Sequence, residues 1–204
     1  MAATCPVDLD TRRLRDEVGS LYARVATEPS GPFHFHRGAK YAVERLGYDP
    51  HDVGSLPELA TESFAGVGNP LRIEPLQPGE TVLDVGCGGG MDLLLAARQV
   101  GERGRAIGVD MTPEMLERAG AAARAAALSQ VELHRGEAQS IPIPSEAADT
   151  VISNGVLNLT PDKIEAFAEI VRVLRPGGRL LLADIVVESE LSEGIRRNTD
   201  LWTG

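Results

Sequence analysis

Chemistry concentrates in seven consecutive residues, Asp84-Val85-Gly86-Cys87-Gly88-Gly89-Gly90, which join an apolar run to an apolar helix. Glycines let a ligand approach the main chain with no Cβ in the way. The helix start that follows offers free N–H groups and partial positive charge, which suit a carboxylate. Alone, this pattern serves a dinucleotide as well as S-adenosylmethionine (SAM). Three features favour SAM. Glycines 86, 88 and 90 give G-x-G-x-G, and, counting from Gly88 and Gly90, Leu93 stands where the dinucleotide pattern has its last glycine. Asp84 ends the strand itself, where a carboxylate meets an amino group such as that of a methionyl moiety. Asp110 lies 26 residues further on, at the tip of the next strand, where it can accept both hydroxyls of a ribose.

Positioning these groups requires a sheet. Strands are expected at 81–85, 106–109, 131–134, 150–153 and 179–187, alternating with helices over 91–100, from Thr112-Pro113-Glu114 onward, and from Thr160-Pro161-Asp162 to about Leu174. Both helix starts pair a threonine N-cap with proline in the first turn. Strands joined this way form an α/β fold, a doubly wound Rossmann-like parallel sheet. Ligands bind such sheets beyond the carboxyl ends of the strands. Ahead of the turn Gln77-Pro-Gly-Glu80 the pattern is helical, with helices expected around 9–26, 39–46 and 57–64. The chain thus divides into a helical N-terminal cap or lid, residues 1–79, and a SAM-binding domain, residues 80–204.

Composition narrows the partners. Two cysteines, Cys5 and Cys87, exclude a disulfide framework and a sulfur-rich metal site. A formal net charge of −10 disfavours approach to phosphate backbones, so nucleic acid is a poor substrate. No apolar run is long enough to span a bilayer, and the N-terminus lacks a signal-peptide layout. A cytoplasmic location is expected.

Taken together, Asp84 to Gly90, Gly108-Val-Asp110, Gly136-Glu-Ala138 and Arg175-Pro-Gly-Gly178 resemble the class I SAM-dependent methyltransferases, over residues 80 to about 187. The resemblance implies strand order 3-2-1-4-5, with SAM as cofactor and S-adenosyl-L-homocysteine as product. It implies that Asp110 binds ribose, Met111 packs on adenine, Glu137 and Ala138 sit by the adenine amino group, and Asn154 lines the cofactor. With Asp84, Gly86, Cys87, Gly88 and Gly90, these form the expected cofactor-binding set.

Four further stretches resemble one subfamily, the arsenite methyltransferases: Gly66-Val-Gly-Asn-Pro70, Gly108 to Met115, Val151 to Leu159 and Pro161-Asp-Lys163. That family holds trivalent arsenic through cysteine thiolates, at the positions of Val67 and Gly155 and at or beyond Trp202-Thr203-Gly204. Arsenic(III) is soft and trigonal and needs two or three converging thiolates. Cys87 is expected under the cofactor and Cys5 in a terminal tail, so arsenite methylation by the family mechanism is not expected. Class I enzymes continue past the fifth strand into a helix and an antiparallel hairpin. Here the hairpin is expected to be absent, with the chain ending in a helix over Leu191 to Trp202. An open sheet edge then makes a homodimer an expectation.

No Ser/His/Asp or Cys/His set presents itself, and no catalytic residue is assigned. Methyl transfer needs alignment more than a protein nucleophile, and a base only for a hydroxyl-like acceptor. His34, His36 and His134 are nominal bases. Phe33-His34-Phe35-His36 puts two histidines on one side of an extended segment. It reads as a lid over the cofactor more readily than as a metal pair, and no metal site is expected. Tyr22 either closes over the methionine moiety or belongs to the apolar stripe of the first helix. The function expected is methyl transfer from SAM to an unidentified small-molecule substrate. The alternatives are a metalloid methyltransferase, a SAM-binding non-catalytic subunit and, more distantly, a nicotinamide-dependent dehydrogenase.

Overall fold

The computed structural model describes residues 11–186. Strand β1 (Thr81–Val85) buries Val82, Leu83, Asp84 and Val85, as a central parallel strand covered on both faces must. It pairs in parallel with β2 (Arg105–Asp110) and with β4 (Ala148–Asn154). Strand β3 (Val131–Arg135) extends the sheet beyond β2, and β5 (Leu174–Ala183) extends it beyond β4. The order is β3-β2-β1-β4-β5, as expected. The order reverses between β1 and β4, which puts the crevice beyond the tips of those two strands.

Alternation along the strands sorts their side chains into two layers. Val82 and Ala106 face helix α5 (Met91–Val100), with α6 (Pro113–Ala125) beside it. Leu83, Val85, Ile107 and Val109 face helix α7 (Lys163–Val173) and the segment holding Ile141 and Ile143. Helix α5 is buried almost all round because the N-terminal helices cover its outer side. These are α1 (Thr11–Thr27), α2 (Gly38–Leu46), α3 (Pro50–Gly54) and α4 (Glu58–Thr61). Leu14, Val18 and Val25 form the buried stripe of α1, which packs on α6. Close packing of α5 depends on Gly108 in β2: a Cβ there would lie 2.7 Å from Leu93 Cδ2 and 2.8 Å from Cys87 Sγ.

Several expected boundaries move. The helix expected over 57–64 shrinks to α4, because the chain turns at Phe64, whose carbonyl accepts the Gly38 N–H at 2.8 Å. Helix α3 was not expected; Asp49 caps it by accepting the His51 and Asp52 N–H groups at 2.8 and 3.1 Å. Neither threonine caps with its side chain. The Thr112 N–H donates to Asp110 Oδ1 at 2.8 Å. Asp162 caps α7 by accepting the Glu165 N–H at 3.0 Å, while the Thr160 hydroxyl donates back to the Leu157 carbonyl at 2.8 Å. Strand β5 starts at Leu174, directly after α7, and absorbs Pro176-Gly177-Gly178 as an irregularity in its ladder with β4. Cys5, Val187 and the helix expected over Leu191 to Trp202 lie outside the described residues. Among the described residues no helix is long and apolar enough to cross a membrane.

Candidate functional site

A cavity of about 140 Å³ opens at the tips of β1, β2 and β4. Of the ten residues expected to hold the cofactor, nine line it: Asp84, Gly86, Cys87, Gly88, Asp110, Met111, Glu137, Ala138 and Asn154. Gly90 does not. It starts α5 at φ +93, where a side chain would be strained and a Cβ would meet Ala119 at 3.1 Å.

Asp110 organises the loop. Its Oδ2 accepts the Gly88 N–H at 2.8 Å and its Oδ1 that of Thr112. Burial raises its carboxyl above the ordinary range, and these donors pull it back. Asp84 is buried, and its Oδ2 has no partner. Burial raises it well above the ordinary carboxylate range, and the charges of Asp92 and Asp110 add to the shift. Cys87 is a buried thiol whose ionisation is suppressed by burial and by Asp110 and Asp84.

Asn154 lines the cavity, and its amide is bonded within the protein. Its Oδ1 accepts the N–H groups of Val67 and Gly68 at 2.8 and 3.1 Å. Its Nδ2 donates to the Gly68 carbonyl at 2.8 Å, to Asp92 Oδ2 at 2.9 Å and to the Tyr48 hydroxyl at 3.1 Å. It therefore fixes the 66–69 loop beside the cavity. Sequence reasoning missed Tyr48 and Asp92, which meet at 2.6 Å across 44 positions. Burial pushes Asp92 up to about 6 despite the two donors it accepts, and the Tyr48 phenol is raised by burial and then by Asp92.

Helix α1 closes the side of the cavity near Asp110. Val18 and Tyr22 line it, and Arg15 reaches Glu137 at 2.8 Å. Burial, then the charge of Asp110, pushes the Tyr22 phenol up to about 12. Tyr22 thus meets the Asp110 side of the cavity and packs with Val25 and Met115, in keeping with the apolar-stripe reading of the first helix. Arg118 on α6 ties this cap down, donating to the Ala26 carbonyl at 2.6 Å and the Leu59 carbonyl at 3.0 Å, and pairing with Glu62.

The Phe33 to His36 segment does not reach the cavity. Phe33 and Phe35 pack with Tyr22, Val25 and Met115, with the Arg37 guanidinium 4.1 Å from the Phe33 ring centre. His34 and His36 are exposed and rest edgewise on Phe35 and stacked on Tyr41. His134 is half-buried on β3. Among the described residues the one cluster with metal-ligand spacing is Asp49, His51 and Asp52, all exposed, and Asp49 already caps α3.

Val67 and Gly155 stand side by side. A Cβ built on Gly155, which has φ +71, would lie 3.1 Å from Val67 Cγ1. Gly155 lines the cavity together with Phe64, Gly66, Val156 and Leu159, an apolar wall that Val67 packs behind.

A parallel sheet in this order, with an acid at the tip of each of its two middle strands and a glycine loop between them, defines a Rossmann-like ligand-binding domain. The chain belongs to the methyltransferase-domain family, whose model matches residues 76–203, and within it to the class I SAM-dependent type. Arsenite methyltransferases stand close. That of Halobacterium salinarum is 44% identical over 161 residues, covering 79% of this chain and 41% of that protein. An arsenic (III) SAM methyltransferase from Chlamydomonas reinhardtii, known from its crystal structure, superposes with TM-score 0.60 at 34% identity, over 77% of this chain and 52% of that one. The demethylmenaquinone methyltransferase of Bacillus cereus is 35% identical over 111 residues, 54% of this chain and 47% of that protein. The chain spans about half the length of these relatives or less.

Proposed function

We propose that this chain transfers the methyl group of SAM to a small apolar acceptor, with residues 1–79 capping a SAM-binding part formed by residues 80–204. One observation carries the cofactor reading: Asp84 and Asp110 face a single cavity from adjacent strand tips, with the glycine loop between them. The unpartnered Asp84 Oδ2 suits an ammonium group. Asp110 Oδ2 accepts the Gly88 N–H and Oδ1 that of Thr112, and a carboxylate, with about four lone-pair sites, can accept a ribose hydroxyl besides. Met111 and Ala138 offer apolar surface to adenine, and Glu137 an acceptor for its amino group. SAM supplies an electrophilic methyl group; the chain binds, aligns and excludes water.

The apolar wall of Phe64, Gly66, Gly155, Val156 and Leu159 suits an acceptor that brings its own nucleophilic electron pair. Identity to arsenite methyltransferases favours a metalloid acceptor, but a valine methyl against a glycine supplies none of the thiolates that arsenic(III) needs. The apolar wall supports a small organic acceptor, and the net charge of −10 speaks against nucleic acid. A cytoplasmic location belongs to the same reading.

Calorimetry and thermal melting with SAM and S-adenosylhomocysteine test it. Ligand at 100 times its Kd adds about 2.7 kcal/mol, which for a chain this size is roughly 5–10 °C in Tm. Asp110→Ala should remove most of that shift. Arsenite with glutathione and SAM should give no methylated arsenic. A wild-type chain that responds to neither ligand would sink the reading.

A further inference from the structure

Two carboxylates lie close together in the floor of the cavity, and their surroundings differ. Asp84 is the last residue but one of β1 and Asp92 sits in the first turn of α5; both are buried, 3% and 6% exposed. Asp92 accepts two side-chain donors, the Tyr48 hydroxyl at 2.6 Å and Asn154 Nδ2 at 2.9 Å. Asp84 is steadied by the Leu93 N–H alone, and its Oδ2 has no partner. The other titratable groups facing Asp84 are Asp110 from β2, the Cys87 thiol from the glycine loop and the Tyr48 phenol from the segment after α2. The charges acting on Asp84 are those of Asp92 and Asp110, both negative.

Like charges sharing a buried site do not both ionise readily, and the better hydrogen-bonded one takes the charge. Burial raises both groups, but the two donors hold Asp92 near 6 while Asp84 goes well beyond the ordinary range.

We propose that in the unliganded protein Asp84 carries a proton, kept there by ionised Asp92, and that the ammonium group of the cofactor displaces this proton on binding. The O–H bond of Asp84 breaks, the proton leaves to bulk water, and the carboxylate formed pairs with the ammonium. The net charge of the buried site stays the same, so the cation enters without adding to the buried charge. Asp92 thereby becomes a positioning residue for a proton, acting on the ligand through Asp84. The inference rests on the cofactor reading above.

Calorimetry with S-adenosylhomocysteine in phosphate and in Tris at one pH separates the two ideas, because these buffers differ in ionisation heat. The expected result is release approaching one proton per ligand, with affinity rising towards tenfold per pH unit above pH 6.5, where Asp92 is ionised. The compound 5′-methylthioadenosine lacks the amino-acid tail; it should bind with no release and a flat pH profile. Asp84→Asn should abolish the release and Asp92→Asn should reduce it. The wild-type comparison of the two ligands stands even if a variant folds poorly. Equal heats in both buffers with S-adenosylhomocysteine, or equal release with both ligands, overturns this inference and leaves the cofactor reading intact. Absence of any binding overturns both.

Discussion

Val67 and Gly155 stand where the resemblance to the arsenite methyltransferases implies thiolates, and the fold brings them side by side across 88 positions of sequence. The scaffold for a two-thiol clamp is therefore present without its sulfur. Val67→Cys with Gly155→Cys should create measurable arsenite binding, by native mass spectrometry or calorimetry, where the wild type shows none. Gly155 sits at φ +71, so its replacement costs about 1–2 kcal/mol, and urea unfolding should register that loss. Arsenite binding by the wild type at comparable strength would show that the acceptor wall has been misread. Asn154 carries a related lesson. The sequence pattern marks it as a site residue, and it does line the cavity, yet every polar atom of its amide is engaged with the 67–68 main chain, Tyr48 or Asp92. Its work is done on the loop.

Among the elements, the cap depends on one side chain. Arg118 on α6 reaches a carbonyl in the last turn of α1, a carbonyl in α4 and the Glu62 carboxylate. Arg118→Ala leaves these acceptors without their donor, at about 1–3 kcal/mol for each one that stays buried. The expected outcome is faster tryptic cleavage within α1, at Arg15 or Arg24, with the sheet still folded. Unchanged cleavage would mean that apolar packing alone holds the cap. Elements of this kind divide cleanly into those the sequence reveals and those it does not. Strand β1 and helix α5 are visible residue for residue, because Val82, Leu83 and Val85 mark a buried strand ahead of the glycine turn and a glycine stops the helix at 101. Strand β5 is misplaced by five residues because proline and two glycines look like a turn, and only pairing with Ala148 makes Leu174 a strand residue. Tyr48, Asp92 and Asn154 escape notice as a group, since nothing local joins partners 44 and 106 positions apart. The Asp49-Pro50 start of α3 is a local cap signal, but the helix it opens is only five residues long and shows no apolar period.

For the whole molecule, the raised carboxyls imply an unusual pH response. The folded state binds protons at Asp84, Asp92 and Asp110 that the unfolded chain, with ordinary carboxyls, has already lost. Where the native state holds more protons, stability falls as pH rises. The window runs from the ordinary carboxyl range up through about 6 for Asp92, and higher for Asp84. The unliganded protein should therefore melt a few degrees higher near pH 5.5 than near pH 7.5, about 2–4 °C for each kcal/mol involved. Below that window the trend reverses, because pairing with Arg105 and Arg172 depresses Glu132 and Glu169, and their contribution is lost on protonation. A melting temperature that climbs steadily from pH 5.5 to 7.5 would contradict this account of the cavity floor.

The contact between Leu93 and Gly108 has a consequence for the lineage of such sites. In a dinucleotide fold the helix after the loop carries the small residue so that it can lie close to the sheet. Here the helix keeps an isobutyl group and the neighbouring strand gives up its side chain, leaving 2.7 Å where a Cβ would stand. The two arrangements differ in which partner across one interface is large. Drift at either position is then constrained by the other. Sequences with bulk at 93 should keep glycine at 108, and a side chain should become tolerable at 108 only after 93 has become small. A glycine count in the loop misses this, because the residue that completes the pattern lies on a different strand.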